Sequence, residues 1–303
     1  MDVYLPIANL AVNGLVIVFL GIGTGILSGI FGVGGGFLTT PLLIFYGIPP
    51  TVAAASAATQ VTGASVSGVF GHARNEGVDY QLGAVTVVGG LIGALLGAGL
   101  FSLLQATGQI DTVISILYVV LLGTIGSLMG RESIQALRAS PAARPRAAKR
   151  RHHPLIAGLP WRWRFYRSGL YVSPVAPLVL GIVVGILTML MGVGGGFIMV
   201  PAMLYVLGMS AKVVVGTSLF NILFVTMAAT MVHALTTQAV DIVLAALLLV
   251  GSVTGAQLGT RIGATVKPEI LRLALAAIVL AVALRMAFGL GVRPDEIYTV
   301  VPL

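Results

Sequence analysis

The sequence has 303 residues, of which 57% are hydrophobic and 9% are charged, with a formal net charge of +8. Soluble domains carry about 25% charged residues, so this composition excludes an ordinary soluble globular protein. Apolar stretches of about 18 or more residues recur along the chain and predict an all-α polytopic membrane protein. Cysteine is absent, which excludes disulfides and cysteine-based metal sites, and we expect neither a cofactor nor a metal.

Five apolar segments are predicted in the first half of the chain, over residues 7–30, 36–47, 51–72, 79–104 and 110–130. We interpret the first as a retained helix, because MDVYLPIANL lacks the positively charged region that begins a secretory signal peptide. The second segment, as a helix of about 12 residues, spans about 18 Å, whereas the hydrocarbon core of a bilayer is roughly 30 Å thick. It is therefore predicted to be a half-helix or one arm of a re-entrant pair.

A basic stretch separates the two halves, since ten of the 17 Lys and Arg lie between Arg131 and Arg167. Prolines within it argue against one continuous helix. We interpret residues 131–173 as a cytoplasmic linker that sets the topology by the positive-inside rule, with binding of anionic lipid as an alternative. No nucleic-acid partner is expected. The aromatic residues among the arginines predict an anchor at the membrane interface: Trp161, Trp163, Phe165 and Tyr166.

The second half again contains five apolar segments, over residues 174–191, 195–207, 211–234, 241–262 and 268–290. Shifted by 160 residues, GVGGGFLTTP at 32–41 lies over GVGGGFIMVP at 192–201. With one or two residues of further drift, several of the few polar residues also match: Ser56 with Thr217, Gln60 with Asn221, His72 with His233, and Asp79 with Asp241. An internal duplication is therefore predicted, with repeats at 1–130 and 174–303.

Charge predicts the orientation of these repeats. If the basic linker is cytoplasmic and each half crosses an odd number of times, the following residues fall at cytoplasmic ends: Arg74, Arg131, Lys212, Arg261 and Lys267. Arg285 and Arg293 fall near the opposite end. The odd count inverts the second repeat relative to the first and places both termini outside the cell. We therefore predict a multi-pass protein of the cell (inner) membrane with inverted-topology repeats.

Where three consecutive glycines interrupt an apolar helix, backbone N–H groups lose their helical hydrogen-bond partners, and lipid cannot replace those partners. We expect Gly34, Gly35 and Gly36 to form one half of a site, and Gly194, Gly195 and Gly196 to form the other. Each short helix then begins with unpaired N–H groups and the positive end of its dipole, which favour an anion. Close helix packing is the alternative, and it is our interpretation of other glycines: Gly21, Gly25, Gly29, Gly93 and Gly97.

Polar residues at membrane depth are the remaining candidates for the site, which we expect to bind a small anionic substrate. They are Thr39, Thr40, Ser56 and Gln60 in the first repeat, and Thr217, Ser218 and Asn221 in the second. Hydrogen bonding between helices is the alternative for each. His72 and His233 are candidates for gating or proton coupling, with an interfacial or capping role as the alternative. Asp79 and Asp241 are predicted to be helix N-caps.

The sequence resembles the TauE/SafE family over about residues 12–130 and 174–290. The resemblance rests on the paired GVGGGF motifs with a proline after each, on the repeat length and on the basic linker. Members of this family are regarded as transporters of sulfite, sulfoacetate and other organosulfonates. The resemblance implies a secondary transporter that exports such an anion, and it implies that the motif glycines and the polar helix positions after them form the site. The linker is longer and more basic than the resemblance leads us to expect.

Other classes of function are also compatible with parts of this pattern. A passive anion channel could use the same glycine site as a filter, and a different small organic anion could be the substrate. A membrane enzyme is not expected, because the sequence shows no paired carboxylates or histidine cluster at membrane depth and has no cysteine. The oligomeric state is left open, and a homo-oligomer is compatible with the sequence.

Overall fold

The computed structural model describes residues 2–31, 34–74, 77–138, 161–209, 211–265 and 268–291. In the first half, an antiparallel hairpin precedes five helices: β1 (Asp2–Leu5), β2 (Leu10–Asn13), α1 (Gly14–Phe31), α2 (Gly36–Phe45), α3 (Pro50–Arg74), α4 (Tyr80–Ala106) and α5 (Ile110–Arg138).

The second half repeats this order. Its elements are β3 (Trp163–Phe165), β4 (Leu170–Val172), α6 (Val175–Met191), α7 (Gly196–Pro201), α8 (Ala211–Val232), α9 (Ile242–Thr265) and α10 (Pro268–Gly291). Short π-helical stretches extend α7 over Ala202–Val206 and α8 over His233–Thr237. Each predicted apolar segment corresponds to one helix, and two ends were wrong: α1 begins at Gly14 because residues 7–13 belong to the first hairpin, and α5 runs to Arg138. The two hairpins were not predicted.

The described helices include six that are long and apolar enough to cross a membrane, by length and composition. They contain Gly14–Phe31, Tyr80–Ala106, Ile110–Gln135, Val213–Thr237, Ile242–Gly259 and Leu273–Gly291. By contrast α2 has 10 residues, about 15 Å at 1.5 Å per residue, as the sequence predicted for a half-helix. The chain is an all-α polytopic membrane protein.

Helices of the two halves interleave, because α1 packs along α9 and α4 packs along α6. Glycines line both contacts and bring the backbones together. A Cβ on Gly25 of α1 would lie 2.4 Å from the carbonyl oxygen of Ser252, and one on Gly93 of α4 would lie 2.1 Å from that of Ile182. The packing interpretation of these glycines is therefore confirmed, and substitution by any larger residue would force the helices apart.

Equivalent helices of the two halves run in opposite directions where they meet. Along the contact of α3 with α8, Thr59 faces Thr230 and Thr62 faces Thr226, with Oγ1–Oγ1 distances of 3.4 and 2.8 Å. The contact of α5 with α10 is antiparallel as well, because Gly126 lies beside Leu280 and Gly130 lies beside Ala276. Inverted repeats require this arrangement, and the orientation of either repeat in a membrane stays a prediction.

Each hairpin is attached to the opposite half by one aspartate. Asp79 caps α4 by accepting from the N–H groups of Gln81 and Leu82, and Asp241 caps α9 in the same way, so the predicted N-caps are confirmed. The second carboxylate oxygen of Asp79 accepts from the N–H of Ser168 at 2.9 Å. That of Asp241 accepts from the N–H of Ile7 at 3.0 Å. Both hairpins therefore lie at the level where these helices begin.

Candidate functional site

Two glycine loops precede the short helices and have the same backbone conformation. Gly34 and Gly35 have φ of +86° and +71°, and Gly194 and Gly195 have φ of +73° and +72°. These values lie in the left-handed region, which costs a residue with a Cβ about 1–2 kcal/mol. Gly35 and Gly195 thus allow the chain to turn sharply and start a helix. Gly32 and Val33 of the first motif lie outside the described residues.

The two loops meet in the middle of the protein. A Cβ on Gly34 would lie 3.4 Å from Val61 and 3.6 Å from Ile222, and one on Gly194 would lie 2.6 and 3.1 Å from the same two side chains. Val61 and Ile222 lie near the midpoints of α3 and α8. Helices α2 and α7 therefore begin at mid-depth.

Aromatic and backbone contacts join the first residues of the two short helices. The rings of Phe37 and Phe197 stack with centroids 4.5 Å apart and planes 4° apart. A Cβ on Gly36 would lie 2.9 Å from the carbonyl oxygens of Gly192 and Val193 in the other loop. The loops are thus in direct contact across the pseudo-symmetric centre, and both phenylalanines belong to the large apolar cluster around α5 and α10.

Neither short helix has a side-chain N-cap in the described part of the chain. In the first loop the prediction of an unpaired N–H is wrong for Gly36, which donates to the carbonyl oxygen of Gly34 at 2.9 Å and closes a tight turn. In the second loop, none of the described residues accepts a hydrogen bond from the N–H groups of Gly194, Gly195, Gly196 or Phe197. Buried N–H groups are nearly always paired, so such a helix start is suited to an external acceptor. The dipole of each helix adds partial positive charge at the same place, which favours an anion.

Three of the predicted site residues carry buried polar atoms for which the described residues provide no hydrogen-bond partner. They are the amides of Gln60 and Asn221 and the hydroxyl of Ser218, and their side chains are 1%, 0% and 0% exposed. Gln60 and Asn221 directly precede Val61 and Ile222, which contact the glycine loops. An unpaired buried amide costs about 1–3 kcal/mol, so this duplicated pair is unlike ordinary packing residues.

Four other predicted site residues use their hydroxyl groups inside the protein. Thr39 donates to Gly35 O at 3.2 Å, and Thr40 donates to Met191 O at 3.2 Å. Ser56 and Thr217 accept hydrogen bonds from the backbone N–H groups of Asp241 and Asp79, at 3.1 and 3.0 Å. The last two residues therefore connect α3 to the start of α9 and α8 to the start of α4, about one helical turn from Gln60 and Asn221.

Sequence reasoning missed a second set of hydroxyl residues beside the loops. A Cβ on Gly195 would lie 3.1 Å from Thr188 Oγ1, and one on Gly35 would lie 3.2 Å from Ser28 Cβ. Thr188 Oγ1 is buried with no partner among the described residues. The signal was available, because Ser28 matches Thr188 at the 160-residue shift that aligns the glycine motifs.

Tyr118 of α5 also contacts the second loop. The comparison of the two repeats did not point to it, because Tyr118 has no polar counterpart in the second repeat. Its hydroxyl donates to Met191 O at 2.6 Å, so Tyr118 and Thr40 both bind the carbonyl just before Gly192. Their equivalents in the other repeat are apolar. The second glycine loop is thus held by two hydroxyls of the first repeat, and the two halves of the site are chemically different.

The two histidines lie at the C-terminal ends of the antiparallel helices α3 and α8, and therefore toward opposite ends of the protein. His233 is buried, with Nε2 2.9 Å from Met189 O and Nδ1 3.1 Å from Thr237 Oγ1. Its ring also packs edge-on against Phe101 at 4.9 Å. His233 thus joins α8 to the end of α6, close to the second glycine loop. The side chain of His72 lies outside the part of the structure that is described.

Fixed charge is scarce around the loops. Asp79 and Asp241 are the charged side chains that are buried among the described residues, and both are occupied by helix caps and hairpins. The described residues also include no group of three or more His, Asp or Glu that could hold a metal ion. The donors at this site are consequently neutral amides, hydroxyls and helix N-termini.

Comparisons with known proteins agree with this architecture. A family model described as "Sulfite exporter TauE/SafE" matches residues 17–286. The chain is 28% identical over 270 residues to the probable membrane transporter protein YjnA of Bacillus subtilis (strain 168), covering 89% of this chain and 98% of that protein. It is 26% identical over 264 residues to a probable membrane transporter protein of Xylella fastidiosa (strain Temecula1 / ATCC 700964), covering 86% and 89%. No solved structure matches the chain.

Proposed function

The chain belongs to the TauE/SafE family of membrane transporters, and on this premise we propose that it exports a small sulfur-containing anion by alternating access. The substrate class is sulfite, sulfoacetate or another organosulfonate. The observation that carries the proposal is the meeting of two glycine loops at mid-depth, each starting a short helix that has no side-chain cap among the described residues. The relatives are named as transporters, and we infer no enzymatic role.

The donor chemistry of the site suits an oxyanion. A sulfite or sulfonate group has three oxygens that can accept hydrogen bonds from different directions, and the loops, Gln60 and Asn221 offer donors from both repeats. Hydrogen bonds to a charged group contribute about 1.5–3 kcal/mol each, roughly twice those between neutral groups. Because the donors are neutral, the bound anion is held by dipoles without a permanent ion pair, which favours its release.

Alternating access is supported by the pairing of the repeats. The antiparallel contact of α3 with α8 and the matching contacts of α1 with α9 and α4 with α6 allow the two halves to exchange roles around a fixed centre. We propose a cytoplasmic linker and termini outside the cell. Export of an anion from a negative-inside cell is then favoured by roughly 2.3 kcal/mol per charge per 100 mV.

Binding is tested by thermal unfolding of the purified protein in sulfite, sulfate, sulfoacetate, taurine, acetate and chloride at matched ionic strength. A ligand at 100 times its Kd adds about 2.7 kcal/mol of apparent stability. We expect selective stabilisation by sulfite or one sulfonate. An unchanged melting temperature in every anion would overturn the anion site.

Transport is tested separately in proteoliposomes loaded with the stabilising anion. A carrier shows saturable uptake and counterflow of labelled substrate against a concentration gradient. A passive channel with the same site shows flux that dissipates the gradient without counterflow, and this result would contradict alternating access.

A further inference from the structure

The two equivalent hairpins have the same attachment and opposite surface chemistry. Asp79 holds β3–β4 and Asp241 holds β1–β2 through matching hydrogen bonds to Ser168 and Ile7. Residues 161–173 contain three arginines and no acidic residue, whereas residues 1–13 contain one aspartate and no Lys or Arg. Arg167 belongs to the attachment of β3–β4, because its Nη1 donates to the carbonyl oxygen of Val78 at 3.4 Å and its guanidinium carbon lies 5.8 Å from the ring centroid of Tyr80. Arg164, by contrast, contacts the ring of Tyr166 within the hairpin.

The hairpin β3–β4 has a buried inner side and an outer side on which Arg164 and Tyr171 are exposed. Phe165, Leu170 and Val172 are buried at 0%, 1% and 2% exposure. Arg164 lies opposite Tyr171 in the strand register, and both side chains are exposed. Arg164 also lies over a second ring, with its guanidinium carbon 5.7 Å from the centroid of Tyr166.

Exposed aromatic side chains accompany Arg164 on the hairpin. Trp161 is 81% exposed, Tyr166 is 78% exposed and Tyr171 is 57% exposed. Trp163 pairs with the buried Val172 on the inner side, but it is still 50% exposed. The hairpin lies at the level where α4 and α6 begin, at the end of membrane-spanning helices. Amphipathic rings at this level are typical of the boundary between lipid tails and headgroups.

We propose that this outer face of β3–β4 binds the phosphate-containing headgroups of anionic phospholipids. Guanidinium groups bind phosphate oxygens in pairs, and the neighbouring rings contact the glycerol and upper acyl region. The three arginines of residues 161–173 complement the charge of an anionic headgroup. The equivalent hairpin β1–β2 has no such preference, because no arginine or lysine is present in it.

Trp161 and Trp163 are the two tryptophans of the 303-residue chain, so tryptophan fluorescence reports on this hairpin alone. The protein is reconstituted in phosphatidylcholine vesicles that contain a small, fixed mole fraction of brominated phosphatidylglycerol or brominated phosphatidylcholine. Bromine quenches tryptophan at short range. We expect stronger quenching by brominated phosphatidylglycerol, and equal quenching by the two lipids would overturn the proposal.

Two variants test whether Arg164 is responsible for the preference for phosphatidylglycerol. Arg164→Gln is expected to lower the preference for phosphatidylglycerol about fivefold, which is the contribution of one basic residue near an anionic surface. Arg285→Gln removes the same charge from α10, where Arg285 lies 5.5 Å from the ring of Phe45, and is expected to keep the full preference. A preference that survives Arg164→Gln, or that falls equally in Arg285→Gln, would refute a headgroup site on the hairpin. Unfolding temperatures confirm that each variant is folded.

Discussion

Replacing Asn221 by leucine separates a binding residue from a packing residue. The Asn221 side chain is fully buried, and among the described residues its amide nitrogen and oxygen have no hydrogen-bond partner. Gly90 of α4 lies beside it, since a Cβ on Gly90 would be 3.6 Å from Asn221 Nδ2. Leucine has a similar volume and no polar atoms. The change therefore removes a desolvation penalty and also removes the proposed contact with the substrate.

The two effects have opposite signs. A buried polar group without a partner costs about 1–3 kcal/mol, so we expect Asn221→Leu to raise the stability of the substrate-free protein by that amount. Loss of a hydrogen bond to an anion weakens binding by about 1.5–3 kcal/mol, or at least about tenfold in Kd. At a concentration of 100 times the wild-type Kd, stabilisation by the substrate should then fall from about 2.7 to below about 1.4 kcal/mol.

The assay is thermal unfolding in detergent, with and without the stabilising anion. Thr217→Val is the matched control, since Thr217 lies one turn away on the same helix and accepts from the backbone N–H of Asp79 at 3.0 Å. Its loss leaves a buried N–H unpaired and should lower stability by about 1–3 kcal/mol. If Asn221→Leu behaves like this control in the absence of anion, and keeps the full shift with anion, Asn221 is a packing residue and the reasoning is wrong.

Further predictions concern the loops and the hairpins. Gly195→Ala should destabilise the protein by about 2–5 kcal/mol, because the φ of Gly195 is +72° and a Cβ would lie 2.1 Å from a valine methyl. Gly99→Ala is the control and should be neutral, because a Cβ there would have no atom within 4 Å. Equal unfolding temperatures of the two variants would contradict the loop geometry. Tyr118→Phe should cost about 1 kcal/mol, and combination with Thr40→Val should cost more than the sum, because both hydroxyls bind one buried carbonyl; a double-mutant cycle by denaturant unfolding measures this coupling. Asp241→Ala should accelerate amide hydrogen exchange in the β1–β2 hairpin and leave β3–β4 protected, and equal exchange in both hairpins would rule out the attachment.

Local sequence signals were sufficient for the helices and for most of their ends, but not for the start of α1 or the end of α5. Apolar length, glycine runs and aspartates before helices act over a few residues, so Gly35, Gly195 and the caps at Asp79 and Asp241 could be predicted without knowing what surrounds them. The hairpins could not be predicted, because strands of three or four residues carry little local preference. They depend on contacts such as that between Ile7 and Asp241, 234 residues apart.

Only the tertiary structure decided which buried polar side chains have hydrogen-bond partners within the protein. Ser56 and Gln60 are one turn apart and looked equivalent in the sequence. In the structure, the hydroxyl of Ser56 accepts from the N–H of Asp241, while the amide of Gln60 has no partner among the described residues. The physical reason is that composition and periodicity determine which residues enter the membrane, whereas hydrogen bonding between distant helices determines which buried groups remain available to a substrate.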